Sequence, residues 1–147
     1  MKGVKMLTHR VQLRIFDTDM LGHCHHLGPA MWFEEARNEI FEIFDPEMSR
    51  EGWNLILVRM ELDFKERIQF TQREIEVRTW ISHLGRSSLH VSHGAYLKDG
   101  TCAALGGVAM VYFDFKAQKP MVIPESIREK LLQHLDENCP YRLRSEK

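Results

Sequence analysis

The sequence has few cysteines, no excess of charge of either sign and no long apolar run. Its 147 residues include three cysteines, an odd number without a CxxC pair, so we expect no disulfide framework and a reducing compartment. The net charge of −1 argues against a chain-wide electrostatic grip on nucleic acid. No apolar stretch approaches the roughly 20 residues that cross a membrane, and the first residues lack the apolar region of a signal peptide. We expect a cytoplasmic protein without nucleic-acid or membrane partners.

The composition and length are those of one globular domain. Hydrophobic residues make up 44% of the chain and charged residues 28%. A chain of 147 residues is long enough to bury a core without disulfide or metal staples. No repeat, low-complexity tract or linker interrupts it, so we expect residues 1–147 to form a single domain.

The hydrophobic pattern changes its period along the chain. Residues 7–16 alternate as in a strand, and apolar residues at helical spacing then predict a helix from Pro29 to about Phe44. Four further segments alternate with period two, and a last helix is expected over 124–134. The simplest packing wraps an antiparallel sheet around the buried helix, which is an α+β architecture. The four alternating segments are 56–64, 74–81, 89–97 and 105–115.

The last of these strands is apolar on both faces, although one face of a sheet usually meets water. We expect its odd-numbered residues to share one face and its even-numbered residues to share the other. The even face is too apolar to be fully wet, which predicts a contact with another subunit. The even-numbered residues are Gly106, Val108, Met110 and Tyr112.

Residues 16–26, FDTDMLGHCHH, place two acids and three histidines between the first strand and the long helix. A helix N-terminus offers free backbone N–H groups and a partial positive charge, which can polarise a carbonyl. Asp19 beside it could activate water or attack the carbonyl directly, and His23 or His26 could orient it. The alternative is that such acids cap turns, which is the role that we expect for Asp17.

The HCHH run also contains the residue types of a zinc site. Adjacent residues cannot easily face one ion, and no second ligand pair follows at a usual spacing, so we expect no metal and no cofactor. Cys24 has no visible partner that would make it a nucleophile, and we interpret it as a small buried residue.

Several segments resemble a known family. The run FDTDMLGHCHHLGPAMWFEEAR resembles the DTDxxGHxxxxxYxxxFExAR signature of hot-dog-fold thioesterases, in the 4-hydroxybenzoyl-CoA thioesterase-like family. HLGRSSLHVSH, YLKDGTCAALG and MVIPESIREKL resemble it in order and spacing, so the resemblance covers roughly residues 7–133. It implies a long central helix wrapped by a five- to six-stranded antiparallel sheet. It also implies active sites at the interface of a homodimer, and such dimers often pair into homotetramers.

The resemblance also implies an activity and the residues that perform it. Members hydrolyse acyl-CoA or acyl-carrier-protein thioesters, and the second acid of the DTD triplet is the catalytic carboxylate. An arginine in the GRSS turn could bind a phosphate of coenzyme A, with Lys65, Arg67 and Arg73 as further phosphate partners. The expected site residues are Asp19, His23 and His26 in catalysis, and Gly28, Arg86, Ser87 and Ser88 in substrate binding.

Two departures from the family pattern leave other functions open. His25 stands where the family usually has asparagine or a small polar residue, and Pro29 stands where the family often has tyrosine. A non-catalytic acyl-CoA binding domain is therefore one alternative, and a hot-dog dehydratase that recruits His26 is another. Glu35 is a reserve candidate, because a glutamate on the central helix is catalytic in a different hot-dog branch.

Overall fold

Three helices and one sheet make up the computed structural model, which describes residues 4–49 and 54–144. Short 3-10 turns at Ile15–Asp17 and Phe70–Gln72 lie in the connections between the helices and strands. None of the helices in these described ranges is long and apolar enough to cross a lipid bilayer. The elements are β1 Leu7–Gln12, α1 Leu27–Ala36, α2 Asn38–Phe44, β2 Leu55–Phe64, β3 Glu74–Leu84, β4 Ser88–Tyr96, β5 Cys102–Asp114, β6 Lys119–Pro120 and α3 Glu125–Leu132.

The sheet is antiparallel, with the strand order β1-β3-β4-β5-β2 and β6 paired to β5. The hairpin between β4 and β5 turns at Asp99-Gly100, where Gly100 has a φ of 90° and Asp99 accepts the N–H of Thr101 (2.9 Å). Only glycine adopts such a φ without strain, which explains why the chain turns at this dipeptide, where the hairpin was predicted. β2 lies at one edge of the sheet and carries a bulge between Leu57 and Arg59.

The long helix is present, but it is divided at Arg37 into α1 and α2. It begins at Leu27 and ends before Asp45, whose extended backbone precedes Pro46 as expected for a residue before proline. Two buried clusters hold the helix against the sheet. The α1 cluster includes Trp32, Phe33, Val77 and Ala104, and the α2 cluster includes Ile40, Phe41, Val108, Met110 and Leu131.

Two elements are shorter in the structure than the sequence predicted. β1 ends at Gln12 and not at residue 16, because residues 15–17 form a 3-10 turn. The carboxylate of Asp17 stabilises this turn by accepting the N–H of Arg14 (2.7 Å). The last helix occupies Glu125–Leu132 and is shorter than the predicted 124–134.

The interpretation of the two faces of β5 was wrong. Val108 and Met110 are buried against the helices, so the even face belongs to the core of this chain and not to a subunit contact. Leu105 and Ala109 on the odd face pack beneath Tyr141 and Leu143 of the C-terminal segment. Both faces are apolar because other parts of the same chain pack on each of them. Period-two alternation separates the two faces but does not indicate which part of the chain packs on which face.

Candidate active site

The loop between β1 and α1 is folded around Asp17, which is buried. Its Oδ1 accepts a hydrogen bond from Arg14 Nη2 (3.0 Å) and its Oδ2 from the Arg14 N–H. Its carbonyl oxygen accepts the N–H of His25 (2.9 Å). Asp17 is therefore a structural residue of this loop, as the sequence predicted.

Asp19 is exposed, and its carboxylate turns back onto its own loop. Oδ1 accepts the N–H of Leu21 (2.9 Å) and the N–H of His23 (3.3 Å). These bonds, with that from Leu21 the largest cause, lower the pKa of Asp19 below its usual value. Asp19 thus remains ionised at neutral pH. It also caps its turn, which was the alternative role considered for it.

His25 joins the loop to the start of α1. Its Nδ1 accepts the N–H of Leu27 (3.2 Å), and its Nε2 lies 3.1 Å from the carbonyl oxygen of Phe16. A backbone N–H can only donate and a carbonyl oxygen can only accept, so these neighbours assign the ring proton to Nε2. The sequence predicted no role for His25, because its partners lie on both sides of the loop.

The first turn of α1 leaves few backbone donors free. The N–H of Leu27 is donated to His25 Nδ1, the N–H of Gly28 is donated to the carbonyl oxygen of His25 (3.0 Å), and Pro29 has no N–H. Gly28, predicted to bind substrate, is buried. Among the described residues we find no acceptor for the N–H of His26, which is therefore the donor available at this helix end.

A cleft of about 550 Å³ opens at this helix end. It is lined by His23, Cys24 and His26 from the loop and by Phe64, Lys65 and Arg67 at and after the end of β2. Asp19 is not among the residues that line it. Lys65 and Arg67 are basic, and His26, whose N–H is free within the described residues, also lines the cleft, so the cleft is suited to an anionic or carbonyl-bearing ligand.

The predicted coenzyme contacts lie far from this cleft within one chain. Arg86, Ser87 and Ser88 follow β3, whereas the loop of Asp19 lies beside the start of β3, where Gln12 pairs with Glu74. At about 3.3 Å per strand residue, the two ends of β3 are roughly 30 Å apart. The carbonyl oxygen of Arg86 is bonded to Ile123 N–H (2.9 Å), so this turn is held against the chain before α3.

Cys24 and Glu35 were the two further residues considered for catalysis. Burial, with smaller contributions from the charges of Asp17 and Asp19, raises the pKa of the Cys24 thiol to about 11, which argues against a thiolate nucleophile. Glu35 is exposed, and its carboxylate contacts His9 Nε2 of β1. Within residues 4–49 and 54–144, no three His, Cys, Asp or Glu side chains converge in a way that could hold a metal ion.

Sequence reasoning missed a buried polar cluster between the helix and the sheet. Arg37 Nη1 donates to His93 Nε2 (3.1 Å), and His93 Nδ1 lies 2.9 Å from Thr79 Oγ1. The ring of Phe33 stacks on His93 with centroids 4.9 Å apart. Arg37 and His93 are 56 residues apart in sequence, so no local pattern indicated their contact.

Comparison with known proteins identifies the family. A family model described as the thioesterase-like superfamily matches residues 13–131. The chain belongs to the thioesterase-like superfamily. This superfamily match includes the loop of Asp19, the cleft at the start of α1 and the turn of Arg86.

Solved structures with similar chains agree with this family. A predicted thioesterase from Bacillus stearothermophilus has a TM-score of 0.87 and 31% identity, over 92% of this chain and 100% of that one. A thioesterase from Thermus thermophilus, complexed with coenzyme A and Zn, has a TM-score of 0.75 and 32% identity, over 88% and 98%. The uncharacterized protein YsmA of Bacillus subtilis (strain 168) is 25% identical over 125 residues, 84% of each chain. The likeness to these two solved structures confirms the hot-dog fold, with its central helix and curled antiparallel sheet.

Proposed function

We propose that this thioesterase-like protein hydrolyses acyl-CoA thioesters to a free acid and a thiol. The observation that carries the proposal is the unbonded N–H of His26 among the described residues, which stands at the start of α1 in a cleft flanked by the loop of Asp19. A thioester carbonyl bound there would direct its developing negative charge at this N–H and at the positive end of the helix. The related Thermus thermophilus thioesterase complexed with coenzyme A supports the choice of a CoA ester.

Asp19 is the proposed catalytic carboxylate, acting as a general base on water or as a nucleophile that forms a short-lived anhydride. Its lowered pKa keeps it ionised, which either role requires. In one chain its carboxylate bonds to its own loop, so the proposal requires the bound substrate to reach Asp19 from the adjoining cleft. His23 and His26, which line that cleft, are proposed to contact the thioester or its leaving sulfur.

The basic residues beside the cleft are proposed to receive the coenzyme phosphates. Lys65 and Arg67 line the same cleft as His26 and are exposed. In one chain Arg86, Ser87 and Ser88 lie beyond the end of β3 that is opposite this site, so we propose that they contribute from another subunit. Exposed apolar side chains on the edge strand β2 support such a partner, and we propose a homodimer or homotetramer. These side chains are Leu57, Val58, Met60 and Phe64.

An acyl-CoA panel with aryl, short and long acyl groups tests the proposal when thiol release is followed by a chromogenic reagent. We expect Asp19→Asn to lower kcat by about 100-fold or more, since a positioned acid–base group contributes at least that much. Asparagine can still accept the two loop N–H groups, so the turn should survive the change. Because the pKa of Asp19 is lowered, protonation of Asp19 should not reduce activity until the pH is below the usual aspartate range.

Asp99→Asn is the matched control for this experiment. Asp99 is an exposed aspartate that also caps its own turn, by accepting the N–H of Thr101, and hydrogen bonds lower its pKa as they do for Asp19. It lies in the β4–β5 hairpin, so kcat should be unchanged. An Asp19→Asn variant as fast as wild type would refute the catalytic role. Saturable binding of CoA esters without thiol release would instead support a binding domain. An absorbance change with enoyl-CoA, without thiol release, would support a dehydratase.

A further inference from the structure

The loop that carries Asp19 folds back on itself before α1 begins. The N–H of Asp19 is donated to the carbonyl oxygen of His23 (2.7 Å). The N–H of His25 is donated to the carbonyl oxygen of Asp17 (2.9 Å). These backbone bonds hold the residues before the turn beside the residues after it. His25 is therefore the position through which both halves of the loop meet the helix.

The side chain of His25 extends this connection to the first turn of α1. Its Nδ1 accepts the N–H of Leu27 (3.2 Å), and its Nε2 donates to the carbonyl oxygen of Phe16 (3.1 Å). The residue is half-buried and lines the cleft at this helix end. Because both ring nitrogens are already bonded to the backbone, the ring has no nitrogen left to bind a ligand or to act as an acid or base.

The bond to Leu27 decides which backbone donors remain at the start of the helix. The first N–H groups of a helix have no partner within it. Here the N–H of Gly28 is donated to the carbonyl oxygen of His25, the ring of His25 takes that of Leu27, and Pro29 has none. Among the described residues, the N–H of His26 is left for a ligand. Without the imidazole, the N–H of Leu27 would be free as well.

Other backbone donors that border the cleft are already bonded. The N–H groups of Lys65 and Glu66 are both donated to the carbonyl oxygen of Ala103 (2.8 and 3.0 Å), and that of Cys24 is donated to the carbonyl oxygen of Ile68 (2.7 Å). The side chain of Glu66 is exposed, and an ionised carboxylate can only accept hydrogen bonds. These backbone groups and this carboxylate therefore do not compete with the helix N–H groups for a carbonyl oxygen.

A free N–H on Leu27 would offer the thioester carbonyl a second position. Successive residues of an α-helix are about 1.5 Å apart along its axis and about 100° apart around it. A carbonyl bound at Leu27 instead of His26 would therefore be displaced from Asp19 by more than about 1 Å, and a misplacement of that size can cost about 100-fold in rate. A single available donor thus serves the reaction better than two neighbouring ones.

We propose that His25 is a positioning residue, whose Nδ1 takes up the N–H of Leu27 so that the thioester carbonyl binds at the N–H of His26. The carbonyl then keeps one position relative to Asp19. The carbonyl oxygen of Phe16 keeps the ring in the required tautomer, because it accepts the hydrogen bond of Nε2 and leaves the lone pair on Nδ1. This inference rests on the proposed function, because it concerns the same site. His25 itself touches neither the thioester nor the attacking water in this role.

His25→Asn and His25→Leu form a matched pair, because asparagine and leucine have nearly the same shape and differ in their polar atoms. Asparagine Oδ1 lies near the position of Nδ1 and can accept the N–H of Leu27, whereas leucine has no acceptor. Neither side chain is long enough to replace the bond to Phe16, so the comparison isolates the bond to Leu27. Circular dichroism and melting curves establish folding. His25→Ala replaces the leucine variant if that variant does not fold.

The acyl-CoA panel, followed by thiol release, gives kcat and KM for the wild type and both variants. We expect His25→Leu to lower kcat by about tenfold or more without raising KM, because the freed N–H binds the carbonyl away from Asp19. His25→Asn should keep kcat close to that of the wild type. A merely structural role would instead weaken the fold and raise KM in both variants. Equal kcat in the two variants, or a raised KM in His25→Leu, would overturn the inference.

An NMR titration separates this inference from the proposed function. Isotope-labelled protein is titrated with non-hydrolysable ketone analogues of the aryl, short and long esters, in which a methylene group replaces the thioester sulfur. In the wild type and His25→Asn, the amide proton of His26 should move downfield and that of Leu27 should change little, whereas in His25→Leu both should move downfield.

The titration does not depend on turnover. If no ester releases thiol, the hydrolytic function fails, but this pattern of shifts would still support the selection of the donor by His25. The same pattern in all three proteins, or no shift in any of them, would overturn the inference in that case.

Discussion

His93 is fully buried on β4, and its protonation should set part of the acid sensitivity of the fold. Arg37 Nη1 can only donate to Nε2, so the ring is neutral and its proton lies on Nδ1, directed at Thr79 Oγ1. Burial, followed by the charge of Arg37, lowers the pKa of His93 well below its usual value. The folded protein therefore does not take up this proton in mild acid.

The size of the effect follows from the difference in bound protons. An unfolded chain protonates this histidine near pH 6.5, whereas the folded chain does so only at much lower pH. The unfolded state then binds more protons, so the free energy of unfolding must fall as the pH falls. Between about pH 7 and pH 5 this one group should remove about 2 kcal/mol of stability.

His93→Gln isolates this contribution, because the amide keeps an acceptor and a donor but does not titrate. Urea unfolding at about pH 7, pH 6 and pH 5 gives the free energy of unfolding of both proteins. The variant should be less stable than wild type at neutral pH, because glutamine leaves part of the space of the imidazole ring empty. Between about pH 7 and pH 5, however, its free energy of unfolding should fall by about 2 kcal/mol less than that of the wild type. Parallel declines in the two proteins would refute a neutral buried His93.

Two further predictions test packing and reactivity. Gly106→Ala should lower the free energy of unfolding by about 3 kcal/mol or more in urea, because its Cβ would lie 2.6 Å from the carbonyl oxygen of Glu61 in the neighbouring strand. Gly107→Ala is the milder control, with its nearest atom at 3.2 Å, and equal losses would contradict the reasoning. Cys24 should react with iodoacetamide at neutral pH about 100-fold more slowly than a free cysteine, followed by mass spectrometry, and fast labelling in the folded protein would contradict its raised pKa.

The secondary structure was predictable where one local signal was sufficient. The helical spacing of Phe33, Ala36 and Ile40 and the Asp99-Gly100 turn each depend on neighbours in sequence, and both appear in the structure. The end of β1 was wrong because the carboxylate of Asp17 stabilises a 3-10 turn that competes with the strand. Alternation alone extended the predicted strand into residues that belong to the loop.

The acids and histidines of residues 16–26 predicted a functional site at this junction. The structure has a cleft at the start of α1 that His23 and His26 line, and the site itself stays a prediction. The role of His25 depends on Phe16 and Leu27 being brought to opposite nitrogens of its ring. The roles of Asp19 and of Arg86, Ser87 and Ser88 stay predictions for the acyl-CoA experiment.

The sequence by itself determined the α+β elements, the strand-to-helix junction rich in ionisable groups and the resemblance that the family match confirms. Tertiary structure alone decided which face of β5 enters the core, which N–H among the described residues of α1 stays unpaired, and that Arg37 meets His93 across 56 residues. The physical reason is the distance along the chain over which each effect acts. Helical and strand periods and turn preferences act over a few residues, whereas burial and the pairing of polar groups depend on what the whole fold places against them.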